Sequence, residues 1–182
     1  MNKTVFGFWV YLMTDCVLFA SLFITFAVLR SGAGGGGSAE LFSLPYVLVE
    51  TLLLLTSSFT CGLMMLAMAR SRSKQAIAWL LVTLALGAAF LGMEIAEFAK
   101  LVQEGHSWRE NGFMSGFFTL VGTHGLHILS GLIWGVVMIV QVLRRGLVPP
   151  VVQRLTMFSL FWHLLDIVWI FIFTIVYLLG AI

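Results

Sequence analysis

The stretch 113-FMSGFFTLVGTHGLHILSGLIWGVVMIVQVL-143 decides the fold. It is apolar for longer than one hydrocarbon thickness, which takes about 20 helical residues to cross. As a helix it must therefore tilt or protrude. Inside it lies Val121-Gly122-Thr123-His124-Gly125-Leu126-His127. Histidines three apart point to nearly the same side of a helix. The glycines and the threonine around them let a second helix approach closely. Imidazoles at bilayer depth are costly unless a partner satisfies them, so partners have to come from the rest of the chain.

Four further apolar runs are long enough to span, giving spans at about 5–29, 44–69, 77–101, 113–143 and 152–179. The composition is 60% hydrophobic and 10% charged, unlike a water-soluble domain. So little lies outside the spans that the expectation is one transmembrane domain, residues 1–182, an all-α bundle of five helices. The small net charge of +2 gives no sign of a nucleic-acid partner. Cationic residues sort the two sides of the membrane. Lys3, Arg70, Arg72, Lys74, Arg144, Arg145 and Arg154 fall on one side, and Arg30, Lys100 and Arg109 on the other. That asymmetry places the N-terminus in the cytoplasm. The first run carries Asp15 in its middle and is too long for a cleavable signal peptide. Cys16 and Cys61 sit inside apolar runs and read as small buried residues.

The other spans offer five carboxylates to the histidines: Asp15, Glu50, Glu94, Glu97 and Asp166. Asp15 lies near mid-depth and reads either as a hydrogen-bonded helix contact or as a proton-relay group. Glu50 is followed by Thr51, Thr56, Ser57, Ser58 and Thr60, a density of small hydroxylated residues that marks a helix-contact face. Glu94 and Glu97 are three apart and would resist ionising together. Glu50, Glu94 and His124 lie at depths that let them meet. In the last span, Trp162-His163-Leu164-Leu165-Asp166-Ile167-Val168-Trp169 forms a second polar centre. Its spacing lets His163 bond Asp166 on one face, with Trp169 offering its indole N–H. Gly131-Leu132-Ile133-Trp134-Gly135 is a Gly-x-x-x-Gly packing pattern. Arg144 and Arg145 close the fourth span and suit lipid headgroups. Gly34-Gly35-Gly36-Gly37 is a tether; the lysine of a phosphate-binding loop is missing.

Facing histidines raise the question of haem, but each has a nearby carboxylate to explain it without metal. No Gly-x-Ser-x-Gly nucleophile is present. A small proton-coupled transporter would use such buried acids and histidines, yet five spans cannot form two equal inverted halves. An accessory membrane subunit is the reading that remains.

Four blocks, in order, carry a family resemblance: Phe6-Gly7-Phe8-Trp9-Val10-Tyr11-Leu12-Met13-Thr14-Asp15, Gly92-Met93-Glu94-Ile95-Ala96-Glu97-Phe98, Gly122-Thr123-His124-Gly125-Leu126-His127, and Phe161-Trp162-His163-Leu164-Leu165-Asp166-Ile167-Val168-Trp169. The chain resembles subunit III of the haem–copper respiratory oxidases, most closely the five-helix form in cytochrome bo-type ubiquinol oxidases. In this resemblance Asp15 sits where many cytochrome c oxidase relatives carry a carbodiimide-reactive glutamate. The resemblance implies a subunit with no redox centre of its own, beside a subunit I that holds haem and copper, a subunit II and a small subunit IV. It implies phospholipid contacts and a bacterial inner (plasma) membrane setting. Its implied role is to support assembly and sustained proton uptake in a proton-pumping quinol oxidase. Subunit III of a cytochrome c oxidase is the nearest alternative. Seven-helix relatives have two further spans that build their lipid cleft, and quinol-oxidase relatives often begin with a polar, histidine-containing extension; this sequence shows neither before Phe6.

Overall fold

A computed structural model describes residues 3–32, 44–103 and 112–178. The described residues form five long helices: α1 (Lys3–Gly32), α2 (Leu44–Ala69), α3 (Ser73–Gln103), α4 (Gly112–Arg145) and α5 (Pro149–Ile172). A π-helical turn, Phe173–Leu178, extends α5. All five are long and apolar enough to cross a membrane. Leu18, Ile24, Leu52, Phe59, Ile133 and Phe171 are among many large apolar side chains on the outside, as expected where lipid is the solvent.

Short turns set the topology. The α2–α3 connection closes with Ser71 N–H donating to the Met68 carbonyl and Arg72 N–H to the Ala67 carbonyl. Ser71 takes φ 57° to do so, the left-handed C-cap geometry that glycine adopts more cheaply. Gly146 fills the same role after α4 with φ 70°. Pro149 and Pro150 then start α5, where their missing N–H groups cost nothing. The contacts follow an antiparallel order. Along α1 and α4, Phe8 meets Trp134, Phe19 meets His127, and Phe26 lies against Gly116. The α2–α3 pair has the most extensive seam; α4 packs on α1, α3 and α5, and α5 on α2 and α4.

Small residues decide how close the helices come. A Cβ added at Gly87 of α3 would lie 2.5 Å from Trp162 Cη2 and 2.8 Å from Cζ2. The fully buried Trp162 ring therefore occupies the space that glycine vacates. Gly131 of α4 takes another side of the same indole, with Cζ3 at 3.2 Å from its would-be Cβ. Gly131 and Gly135, the two ends of the Gly-x-x-x-Gly pattern, are both buried. By contrast, Gly92 of α3 has nothing within 4 Å of such an atom. Gly87→Ala is expected to displace the Trp162 ring and to destabilise the bundle by about 1–3 kcal/mol, the usual cost of overpacking. Gly92→Ala is expected to be neutral or slightly stabilising. Thermal unfolding of the two variants in the same detergent checks the contrast.

Candidate functional site

Polar side chains gather in three places, each fixed by helix geometry. The first joins α1 to α4. His127 Nδ1 lies 2.7 Å from the Thr123 carbonyl, one turn back on its own helix. A carbonyl only accepts, so Nδ1 carries the hydrogen. Nε2 faces Asp15 Oδ1 at 3.3 Å. With Nδ1 already protonated, this contact holds one proton between imidazole and carboxyl, either as an ion pair or as a carboxylic acid donating to nitrogen. Phe19 covers the pair, its ring centroid 5.0 Å from that of His127. Asp15 and His127 lie near the middles of their helices, and hence near mid-membrane.

The second place is the seam between α2 and α5. Trp169 Nε1 donates to Thr51 Oγ1 at 3.0 Å, and Trp162 Nε1 to Ser57 Oγ at 3.0 Å. Cys61 Sγ lies 3.6 Å from Ser159 Oγ. Ser58 Oγ and His163 Nδ1 are 2.6 Å apart. Asp166 is buried, yet neither carboxyl oxygen has a hydrogen-bond partner. The expected His163–Asp166 bond is therefore not formed. Residues three apart on a helix sit about 60° apart around its axis, and the α2 hydroxyl reaches His163 from the side.

The third place adjoins the second at Glu50, next to Thr51, where α2 faces α3. Glu50 is 0% exposed and Glu94 2%. Their four carboxyl oxygens find no hydrogen-bond partner. Glu50, Glu94 and Glu97 lie close enough to sense one another's charge, and Lys100 reaches Glu97 electrostatically. Tyr46 donates to the Met93 carbonyl at 2.6 Å beside them. Glu94 also lines an apolar groove of about 230 Å³ between α3 and α4, with Ile95, Phe98, Gly122 and Leu126.

His124 belongs to neither carboxylate group. It is fully buried, and its Nε2 donates to the Leu165 carbonyl of α5 at 3.0 Å. Phe19, Phe90 and Trp169 ring it at 6.4, 5.8 and 5.4 Å between centroids. The expected meeting of His124 with Glu50 and Glu94 is replaced by a neighbour relation. A Glu94 oxygen sits 3.5 Å from where a Cβ of Gly125 would be. Positions 124 and 125 are about 100° apart around α4; the glycine turns to α3 while the imidazole turns to α5. Sequence reading missed the Leu165 and Thr123 carbonyls, because no side-chain pattern announces a backbone acceptor. Tyr46 was also missed, since at a span entrance it looks like an ordinary interfacial aromatic.

Arg144 and Arg145 are exposed at the end of α4. Cys61 is buried and Cys16 exposed, against the expectation that both are buried. Cys16 lies on the lipid-facing side of α1, where a small apolar residue is equally at home. Arg30 and Arg109 fall outside the residues whose side chains are described. Among the described residues, no group of three or more His, Cys, Asp or Glu could hold a metal ion.

Five membrane-length helices, with polar side chains held on internal seams, define an integral membrane helix-bundle protein. The chain belongs to the cytochrome c oxidase subunit III family, whose model matches residues 1–181. It is 58% identical over 99% of its length to the cytochrome bo(3) ubiquinol oxidase subunit 3 of Pseudomonas aeruginosa, covering 87% of that protein. It is 53% identical to the subunit of the same name from Pseudomonas putida, again over 99% of this chain and 87% of the relative. The quinol oxidase subunit 3 of Bacillus subtilis is 46% identical over 97% of this chain and 87% of its own length.

The Asp15–His127 contact yields a direct expectation. Asp15→Asn keeps a donor for His127 Nε2 and should leave stability near that of the parent. Asp15→Ala strands the nitrogen in the membrane interior and should cost about 1–3 kcal/mol. Thermal midpoints in one detergent compare them; equal loss in both variants would remove the hydrogen bond from the account.

Proposed function

We propose that the chain is the accessory subunit III of a proton-pumping terminal quinol oxidase in the aerobic respiratory chain of a bacterial inner membrane. The observation that carries this is the identity to quinol oxidase subunits along almost the whole chain. In this reading haem and copper belong to subunit I, and this chain sits with subunits I, II and a small subunit IV. The N-terminus lies in the cytoplasm, on the side of the basic turn Arg70–Lys74 and of Arg144 and Arg145, which meet phospholipid headgroups there.

The geometry supports a structural role. Asp15, His124 and His163 act as polar contacts that fix helix register, with Glu94 and Asp166 enclosed in the bundle and unbonded, and the chain's share in proton uptake is to keep that register while subunit I turns over. His127 has both ring nitrogens engaged, and His124 and His163 have one each. That leaves the histidines serving helix contacts more than open coordination.

Purification from the native membrane in mild detergent tests the reading. The expected product is a complex with haem absorption bands and quinol-dependent oxygen consumption, and the separated chain is colourless. Oxidation of cytochrome c in place of quinol would move the chain to a cytochrome c oxidase. Proton-coupled solute flux by the isolated chain in liposomes would make it a transporter.

A further inference from the structure

The hydroxyls that face outward in the membrane interior are already satisfied by their own helices. Ser21 donates to the Val17 carbonyl, Thr25 to Ser21, Thr56 to Leu52, Thr119 to Ser115 and Ser130 to Leu126. Such side chains can face lipid at little cost. His163 differs. It is only half-buried, and its Nδ1 is taken by Ser58. Its Nε2 has no hydrogen bond among the described residues and is not among the atoms enclosed by the bundle. Whichever partner of the Ser58–His163 bond donates, Nε2 is left with one unfilled role, as donor or as acceptor.

The position makes this costly. From Pro149 to Leu178 the fifth span has its midpoint at His163, so the open nitrogen lies near the centre of the hydrocarbon. Acyl chains there offer no hydrogen bond. Around it the surface is apolar: Phe59 is 68% exposed, Ile167 52% and Leu55 43%. One turn along α2 from Ser58, Gly62 has nothing within 4 Å of a would-be Cβ. This is an apolar face, with one polar atom at its centre and a notch where a helix backbone can approach.

We infer that the flank where Ser58 of α2 meets His163 of α5 docks a transmembrane helix of another oxidase subunit, which presents a hydrogen-bonding side chain to His163 Nε2 at mid-membrane. The inference rests on the accessory-subunit reading and adds the face by which the chain is held. Occupancy by lipid leaves the nitrogen unpaired. A single hydrogen-bonding side chain on the incoming helix pairs it, and that helix covers Phe59 and Ile167 in the same step.

The test uses the intact complex. A photoreactive amino acid replaces Ile167 in one preparation and Phe59 in another; both side chains point away from the bundle. The expected product is a covalent adduct between this chain and another oxidase subunit at both positions. Adducts only with lipid or detergent, or only with a second copy of this chain, would overturn the inference. In parallel, His163→Leu is expected to lower the other subunits retained on this chain by about three- to tenfold, the worth of one hydrogen bond in a membrane. His163→Gln, which restores a donor and an acceptor, recovers most of that loss. Equal retention by parent and both variants would also overturn it. An intact complex whose probes reach only lipid removes the docking face and leaves the subunit assignment standing. A chain that purifies with no other oxidase subunit removes both.

Discussion

Hydrocarbon offers no hydrogen bonds, and the arrangement of this chain follows from that constraint. Each helix satisfies its own backbone, but among the described residues eleven polar or charged side chains are buried within the bundle and need partners from another turn or another helix. Most partners are close at hand. Threonines and serines return to carbonyls of their own helix. Tryptophans 162 and 169 reach hydroxyls of α2. His127 divides its two nitrogens between its own helix and α1. These bonds add modest energy each. Their larger effect is on register, because a slip of one residue would strand several polar atoms at once in a medium that cannot solvate them.

Close packing makes the bonds reachable. Trp162 can donate to Ser57 because Gly87 and Gly131 leave room for its ring. The two glycines lie on different helices, so one indole locks α2, α3, α4 and α5 together. His124 is held in a comparable way, with aromatic rings from α1, α3 and α5 around it. Glycine and aromatic positions therefore act as pairs, small on one helix and large on its neighbour. In lipid, where expulsion of water no longer drives helices together, such fit supplies much of the attraction.

The sequence was most legible where periodicity and bilayer thickness act alone. Five spans follow from apolar runs and basic turns, and the helices observed differ from them mainly by being longer at their ends, as Ser73–Gln103 is around the expected 77–101. The polar residues were visible as candidates because acids and histidines are rare in such runs. Their partners were far less visible. Asp15 and His127 are 112 positions apart, and only the α1–α4 packing puts them together. His124 turned to a backbone carbonyl, which every residue possesses and no sequence pattern singles out. His163 turned to Ser58, one of five hydroxylated residues between Thr51 and Thr60. Which of those faces α5 depends on the crossing of α2 over α5.

The three polar places differ in how completely the fold satisfies them. In the Asp15–His127 pair both imidazole nitrogens and Asp15 Oδ1 are met, while Asp15 Oδ2 stays enclosed without a partner. The glutamates between α2 and α3 are enclosed with their oxygens unmet, so their hydrogen-bonding capacity is held inside the bundle, next to α4 at Gly125. His163 is met on one side and open on the other. A bundle evolved to stand alone in lipid gains nothing from leaving an imidazole nitrogen open at the depth where solvation is poorest. For a bundle that becomes stable in company, that nitrogen gives direction to assembly, since a correctly placed neighbour relieves the cost and a misplaced one does not.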